Sequence, residues 1–203
     1  MKGSGAVFAA LVALLVSMVL MVPVATASEP QENPLADLQN LLGEQTSVQS
    51  LAGRFEQGKY IADLDTTLDS SGRFEFDADT GLVWDIRKPV PTLLKIRADE
   101  IVEEQDGEVV MRMDVDDQPM TRAISEVFFA IFGGDWQALS ERFSVRTLQE
   151  SSPWRFELTP RDELLASRLR VVELRGEDHL NTLVLEETNG DRTEIRLNDV
   201  KAR

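Results

Sequence analysis

The chain has 203 residues, 42% of them hydrophobic, with no cysteine, one histidine, and 36 acidic against 21 basic side chains. Those counts exclude a disulfide framework, a Cys-ligated metal and a thiol nucleophile, and a lone His179 excludes a two-histidine metal site. A formal charge of −15 argues against a nucleic-acid partner, because binding a phosphate backbone relies on clustered Lys and Arg.

Residues 1–27 carry one charge, Lys2, followed by an apolar run from Ala6 to Val22, a helix-breaking Pro23 and the small triplet Ala25-Thr26-Ala27. That order predicts a secretory signal peptide cleaved after Ala27 and therefore a mature protein in an exported compartment. The alternative is an uncleaved membrane anchor, since the run approaches the length of a span. Losing Lys2 with the segment takes the formal charge from −15 to −16. Residues 28–33 read as a disordered polar leader, and 34–203 as a single domain. Pro34 opens a stretch in which Leu35, Leu38, Leu41, Leu42 and Val48 recur at three- and four-residue spacing, which predicts an amphipathic helix over 34–49.

The next 65 or so residues change period, from 3.6 to 2. Phe55, Gln57, Lys59 and Ile61 share one face of a strand; so do Phe74 and Phe76, then Leu82, Trp84 and Ile86, then Leu94 and Ile96, then Val109, Met111, Met113 and Val115. Alternation over short runs broken by Ser-Ser-Gly, Asp-Thr-Gly and Asp-Gly predicts antiparallel strands joined by tight turns. Lys88-Pro89-Val90-Pro91 cannot continue a ladder and predicts a corner.

Helical periodicity returns at Thr121–Phe132, where Ile124, Val127, Phe128 and Ile131 share a face that Phe129 and Phe132 widen. Gly133-Gly134 ends this helix, and Asp135 caps a short second one. The remainder alternates again, with Trp154, Phe156 and Leu158 on one face and Asn189-Gly190 as a hairpin turn between the last two strands. The total is about ten strands, enough to curl into a barrel, a half-barrel or a sandwich. Three Phe and two Ile within residues 124–132 cannot face water, and a closed, filled barrel leaves them no room. The expected fold is therefore mainly β with α: an open antiparallel β-barrel whose concave face is covered by a helical lid over an apolar cavity.

The runs GRFEQGKY and SSGRFEFDADTGLVWDIRKPVPTLLKI resemble the start of the periplasmic outer-membrane lipoprotein carrier family, LolA, with its Phe-x-Gln strand, Gly-x-Phe strand and Trp ahead of a proline corner. The matching positions are Phe55 and Gln57, Gly72 and Phe74, and Trp84 with Pro89. The second half, from AIFGGDWQALSERFSV to the last strand, is similar to a LolA-related subgroup, so the resemblance spans about residues 35–200. It implies an open barrel with a helical lid, and a soluble monomer that accepts acyl chains of lipoproteins, or other lipids, from an inner-membrane donor complex and passes them to an outer-membrane acceptor. It implies cavity residues Phe55, Phe74, Phe76, Leu82, Trp84, Ile96, Met111 and Met113, and lid residues Ile124, Val127, Phe128, Ile131 and Phe132. In the lipoprotein carriers an Arg-Pro pair before the Trp helps latch the lid, but here those positions hold Ala78 and Asp79. Arg73, Arg87 or Arg122 could substitute, or packing alone could hold the lid.

Simpler readings stand beside these. The lid phenylalanines could be the core face of a buried helix, the strand aromatics plain core, and Gln57 either a group at the cavity mouth or part of an exposed strand face. Asp114-Val115-Asp116-Asp117 lacks the glycine and distal glutamate of a calcium loop and reads as an acidic turn. Glu103–Glu108 reads as a solvated hairpin, and His179 as an exposed turn residue. With no nucleophile elbow, Walker or zincin motif, the chain is expected not to be an enzyme and to use no cofactor or metal. The competing functions are a membrane-anchored lipid-binding sensor or assembly factor of the envelope and, less favoured, a periplasmic hydrolase.

Overall fold

The computed structural model describes residues 49–177 and 179–202. The expected signal peptide, polar leader and N-terminal helix over 34–49 lie outside the described residues, apart from Gln49. Among the described residues no helix is long and apolar enough to cross a membrane.

Among the described residues eleven strands form one antiparallel sheet: β1 (Ser50–Ile61), β2 (Thr66–Asp77), β3 (Gly81–Lys88), β4 (Thr92–Ile96), β5 (Glu100–Gln105), β6 (Glu108–Asp114), β7 (Phe143–Gln149), β8 (Trp154–Pro160), β9 (Leu169–Gly176), β10 (Leu180–Glu187) and β11 (Arg192–Ala202). Their spatial order is β6-β5-β4-β3-β2-β1-β11-β10-β9-β8-β7. The sheet does not close: β6 and β7 are its two free edges, and β1 in its middle joins the first six strands to the last five. The open sheet agrees with the sequence expectation, and the strand the pattern omits is β5. Its sequence EIVEEQ places charged residues where a half-buried strand would show alternation.

Two helices lie between β6 and β7 in sequence. Helix α1 (Pro119–Gly133) starts at a proline, which suits the first turn because the amide hydrogen it lacks has no intrahelical partner there. It ends at Gly134, whose φ of 71° is the left-handed conformation that glycine adopts without steric cost. Helix α2 (Trp136–Arg142) is capped by Asp135, whose carboxylate accepts from the Ala138 amide at 3.0 Å. A four-residue helix, α3 (Glu163–Ala166), follows β8 and is capped the same way by Asp162. It is too short to leave a periodic signal.

All three helices lie against the sheet. Helix α1 packs on β2, β3 and β5, α2 on β7, and α3 on β8 and β9. The buried core runs from Phe55 and Trp84 on one side to Trp154, Phe156 and Leu174 on the other. One close approach sets the first half. A methyl group on Gly72 would sit 1.9 Å from the Asp85 carbonyl oxygen and 2.9 Å from the Phe55 ring, so only glycine lets β2 and β3 meet behind that ring.

Candidate functional site: an aromatic face under a helical lid

Antiparallel pairing sets the predicted residues in two rows across β1 to β6. One row is Gly53, Phe74, Trp84, Leu94, Glu103 and Met111; the next is Leu51, Phe76, Leu82, Ile96, Ile101 and Met113. Residues paired across neighbouring strands share a face of the sheet, so local alternation in five strands adds up to one continuous apolar surface. Phe55, Phe74, Phe76, Leu82, Trp84 and Ile96 are all fully buried there. Met111 and Met113 are half-buried at the edge strand and pack against this cluster.

The lid rests directly on the rows. Phe132 approaches Phe74 at 5.5 Å, Phe76 at 6.1 Å and Trp84 at 6.2 Å between ring centroids. Phe55 stacks on Trp84 at 4.0 Å, Phe129 meets Phe76 edge-on at 5.8 Å, and Phe128 stacks on Phe132 at 6.3 Å. The result is a chain of seven rings linking three strands to α1, with offset or tilted geometries that aromatic pairs favour. Ile124, Ile131 and Phe132 are buried, whereas Val127 and Phe128 are half-buried. The indole nitrogen of Trp84 is buried and makes no hydrogen bond.

None of the three arginines expected to substitute, Arg73, Arg87 or Arg122, latches this lid onto the sheet. Arg73 and Arg87 alternate with Phe74 and Trp84 and so lie on the opposite face of the sheet. Arg122 on α1 pairs with Asp116 at 2.6 Å, in the loop that leads into the helix. Ala78 is used through its backbone, whose amide donates to the Gln49 carbonyl at 2.9 Å, and the Gln49 side-chain amide donates to Asp79. The tethers are residues that sequence reading passed over. Buried Ser125 donates its hydroxyl to the Arg97 carbonyl after β4 at 2.6 Å, and Thr121 approaches the Met113 sulfur at 3.9 Å. Arg142 of α2 bridges Glu126 of α1 and Asp162 at the start of α3.

Three polar features interrupt the apolar face. Glu103, expected to be solvated, is 2% exposed, because its place in the row beside Leu94 and Met111 turns it inward. Burial pushes its carboxyl above the usual range, against the opposing effect of the Gln105 side-chain amide donating at 2.8 Å. At the end of the face nearest the β10–β11 hairpin, the buried Lys59 ammonium lies 2.9 Å from Glu187 and 3.6 Å from Asp191. Burial raises the Glu187 carboxyl, with Lys59 acting the other way. Asp191 also accepts from the Ala62 amide, so the cluster ties the β1 end to the hairpin of Asn189 and Gly190. Gln57 is 5% exposed, which removes the exposed-face reading. Its side-chain oxygen and the hydroxyl of its cross-strand partner Ser70 are both buried without partners.

Other groups singled out in the sequence are not brought to this face. His179 is exposed beyond β9, and Asp114–Asp117 forms a turn in which the Asp114 carboxylate accepts from the Asp116 amide. Among the described residues no three His, Asp or Glu side chains are grouped as a metal site.

Residues 31–198 match the family model described as outer membrane lipoprotein carrier protein LolA-like. A search among curated proteins finds no match. Among solved structures, a LolA superfamily protein from Nitrosomonas europaea is 12% identical over 84% of this chain and 92% of its own, with a TM-score of 0.45. A putative outer membrane lipoprotein-sorting protein domain from Vibrio parahaemolyticus is 12% identical over 83% and 91%, with a TM-score of 0.43. The MucA/MucB complex of Pseudomonas aeruginosa contains a chain 14% identical over 82% of this one and 56% of its own, with a TM-score of 0.36.

Proposed function

The chain belongs to the outer membrane lipoprotein carrier LolA-like family, and from that premise we propose that it is a periplasmic carrier that holds acyl chains of lipoproteins or related lipids against the aromatic face beneath α1. It receives them from a donor at the inner membrane and yields them to an acceptor at the outer membrane, by carriage rather than catalysis and without a cofactor.

The observation that carries this reading is the continuous apolar surface of the two rows, faced by a helix whose own phenylalanines cover it. Exposing an acyl chain to water costs about 0.8 kcal/mol per methylene, so a carrier must present apolar surface of matching extent. That surface must also be shielded when no cargo is present, and Phe128, Phe129 and Phe132 provide the shield. The contacts between lid and rows are dispersive and non-directional, so an acyl chain can replace them without breaking a specific bond. Methionines at the rim suit a surface that meets chains of varied shape. The few polar tethers, chiefly Ser125 to the Arg97 carbonyl, hold the first half of the helix while its phenylalanine-rich half is held by packing.

The test is to isolate the protein from its native envelope and identify co-purified molecules by mass spectrometry, alongside titration with a fluorescent fatty-acyl probe. Acylated molecules released on denaturation, and probe affinity about tenfold weaker in a Phe128→Ser variant that still folds, are the expected results. A purified protein free of lipid that also ignores the probe would refute carriage. Recovery of the protein only in the membrane fraction would favour the anchored sensor.

A further inference from the structure

The opposite face of the same three strands carries an arrangement that acyl binding does not use. Alternation places Arg54, Arg73 and Arg87 on that side, and Arg54 and Arg73 are direct cross-strand partners. Like charges placed opposite each other weaken an antiparallel pair. Together with Lys88, Ser71 and Gly72 these side chains line a hollow of about 660 Å³. Arg54 is paired with Asp199, and Arg87 with Asp85 at 2.8 Å. Arg73 and Lys88 have no ion-pair partner among the described residues, and Glu56 is the remaining carboxylate of the wall. Four cations around one recess are out of proportion in a chain with 36 acidic and 21 basic side chains.

We propose that this hollow is a binding site for a compact phosphate-type oxyanion, a phosphate monoester or diphosphate group. Guanidinium forks match the paired oxygens of phosphate, and the Lys88 ammonium adds a point charge. The Ser71 hydroxyl supplies a neutral donor. An anion seated there gives Arg73 and Lys88 the counter-charge that the fold supplies only to Arg54 and Arg87. A small anion also fits better than an extended acidic surface, since a chain of formal charge −15 is repelled by an anionic bilayer while a recess admits one phosphate group between its own cations. The site lies on the reverse of the aromatic rows, so it stands or falls independently of acyl carriage.

Amide chemical shifts of the full-length protein, followed during titration with pyrophosphate at low ionic strength, test this. The expected shifts fall on residues 53–56, 71–73, 87–88 and 198–199, and weaken as salt is added. Arg73→Gln lowers the affinity at least tenfold, Arg73→Lys restores part of it, and fatty-acyl probe binding is unchanged in both. Short-chain phosphatidic acid, dispersed as monomers, separates the two sources of the group: binding tighter than pyrophosphate at the same residues assigns a lipid headgroup, and equal or weaker binding assigns a free anion. Shifts scattered over the surface, or undiminished binding by a folded Arg73→Gln variant, would overturn the proposal. Retention on phosphatidylglycerol vesicles with no response to pyrophosphate would overturn it too, in favour of a membrane surface.

Discussion

Trp84 packs its indole between Phe55, Phe74 and Phe132 while its N–H goes unpartnered. Its contribution is therefore shape and dispersion, and replacements should be ranked by volume alone. Trp84→Ala is expected to cost about 3–5 kcal/mol, and Trp84→Phe, which sacrifices no hydrogen bond, about 1–2 kcal/mol, both read from urea denaturation midpoints. A loss for Phe equal to that for Ala would mean the indole nitrogen has a partner. Glu103 behaves in the opposite sense, because it is polar where its row is apolar. Its folded-state carboxyl is raised above the unfolded value, so the folded protein binds more protons across that window. Stability then falls as pH rises from the ordinary glutamate range through the folded value, and the penalty is complete above it. Glu103→Gln keeps an acceptor for Gln105 and removes the charge. The variant should match the wild type at pH 4 or below and exceed it at neutral pH by on the order of 1–3 kcal/mol, the usual cost of a poorly compensated buried polar group. Equal thermal stability of the two at pH 7 would show that Glu103 is solvated after all.

For the strands and helices, the sequence was legible where one face was buried and opaque where the environment was mixed. The strands of Phe74, Trp84 and Trp154 alternate cleanly because one side packs and the other meets water. The first half of β2, Thr66–Ser70, is largely exposed and paired only through its backbone with β1, so no apolar period marks it. β5 was hidden because Glu103 and Glu104 look alike in sequence, although one faces the helix side and the other does not. The lid helix was predicted from its phenylalanines, but its fastening was not, since Ser125 becomes a tether only once Arg97 is brought opposite it by the β4–β5 turn. That bond gives the element a prediction of its own. Ser125→Ala leaves the Arg97 carbonyl without this donor and should cost about 1 kcal/mol. The loss should appear chiefly as faster amide exchange in α1, with exchange in β1 and β11 unchanged. Acceleration spread evenly over the sheet, or no change in α1, would mean that packing alone holds the lid. The Lys59–Glu187–Asp191 cluster was equally hidden, because its members lie 128 and 132 residues apart and only the pairing of β1 with β11 brings them together.

The whole molecule consists of two wings with separate aromatic centres. Phe55, Phe74, Trp84 and Phe132 form one, and Trp154 with Phe156 at 5.7 Å forms the other. Each wing has its own helix against it, which could suggest two units that unfold apart. The strand order argues otherwise. β1 belongs to the first wing by its hairpin with β2 and to the second by its long ladder with β11, so neither wing is a complete sheet without it. The buried Lys59 cluster lies on the same seam, and separating the wings would expose an ammonium and two carboxylates only by breaking their bonds. Removing one partner of such a buried group is costly, on the order of 3–5 kcal/mol, so the seam resists partial opening. Unfolding is therefore expected to be a single cooperative transition. Two variants that keep only Trp84 or only Trp154, with Phe at the other tryptophans, would report on the two wings separately. In each, the fluorescence transition in urea should superimpose on the far-UV circular dichroism transition of that same variant. A Trp154 signal lost while most sheet signal persists would show that the second wing opens alone. The lid would then be a feature of the first wing only, and β1 a hinge between two independent halves instead of a shared core strand.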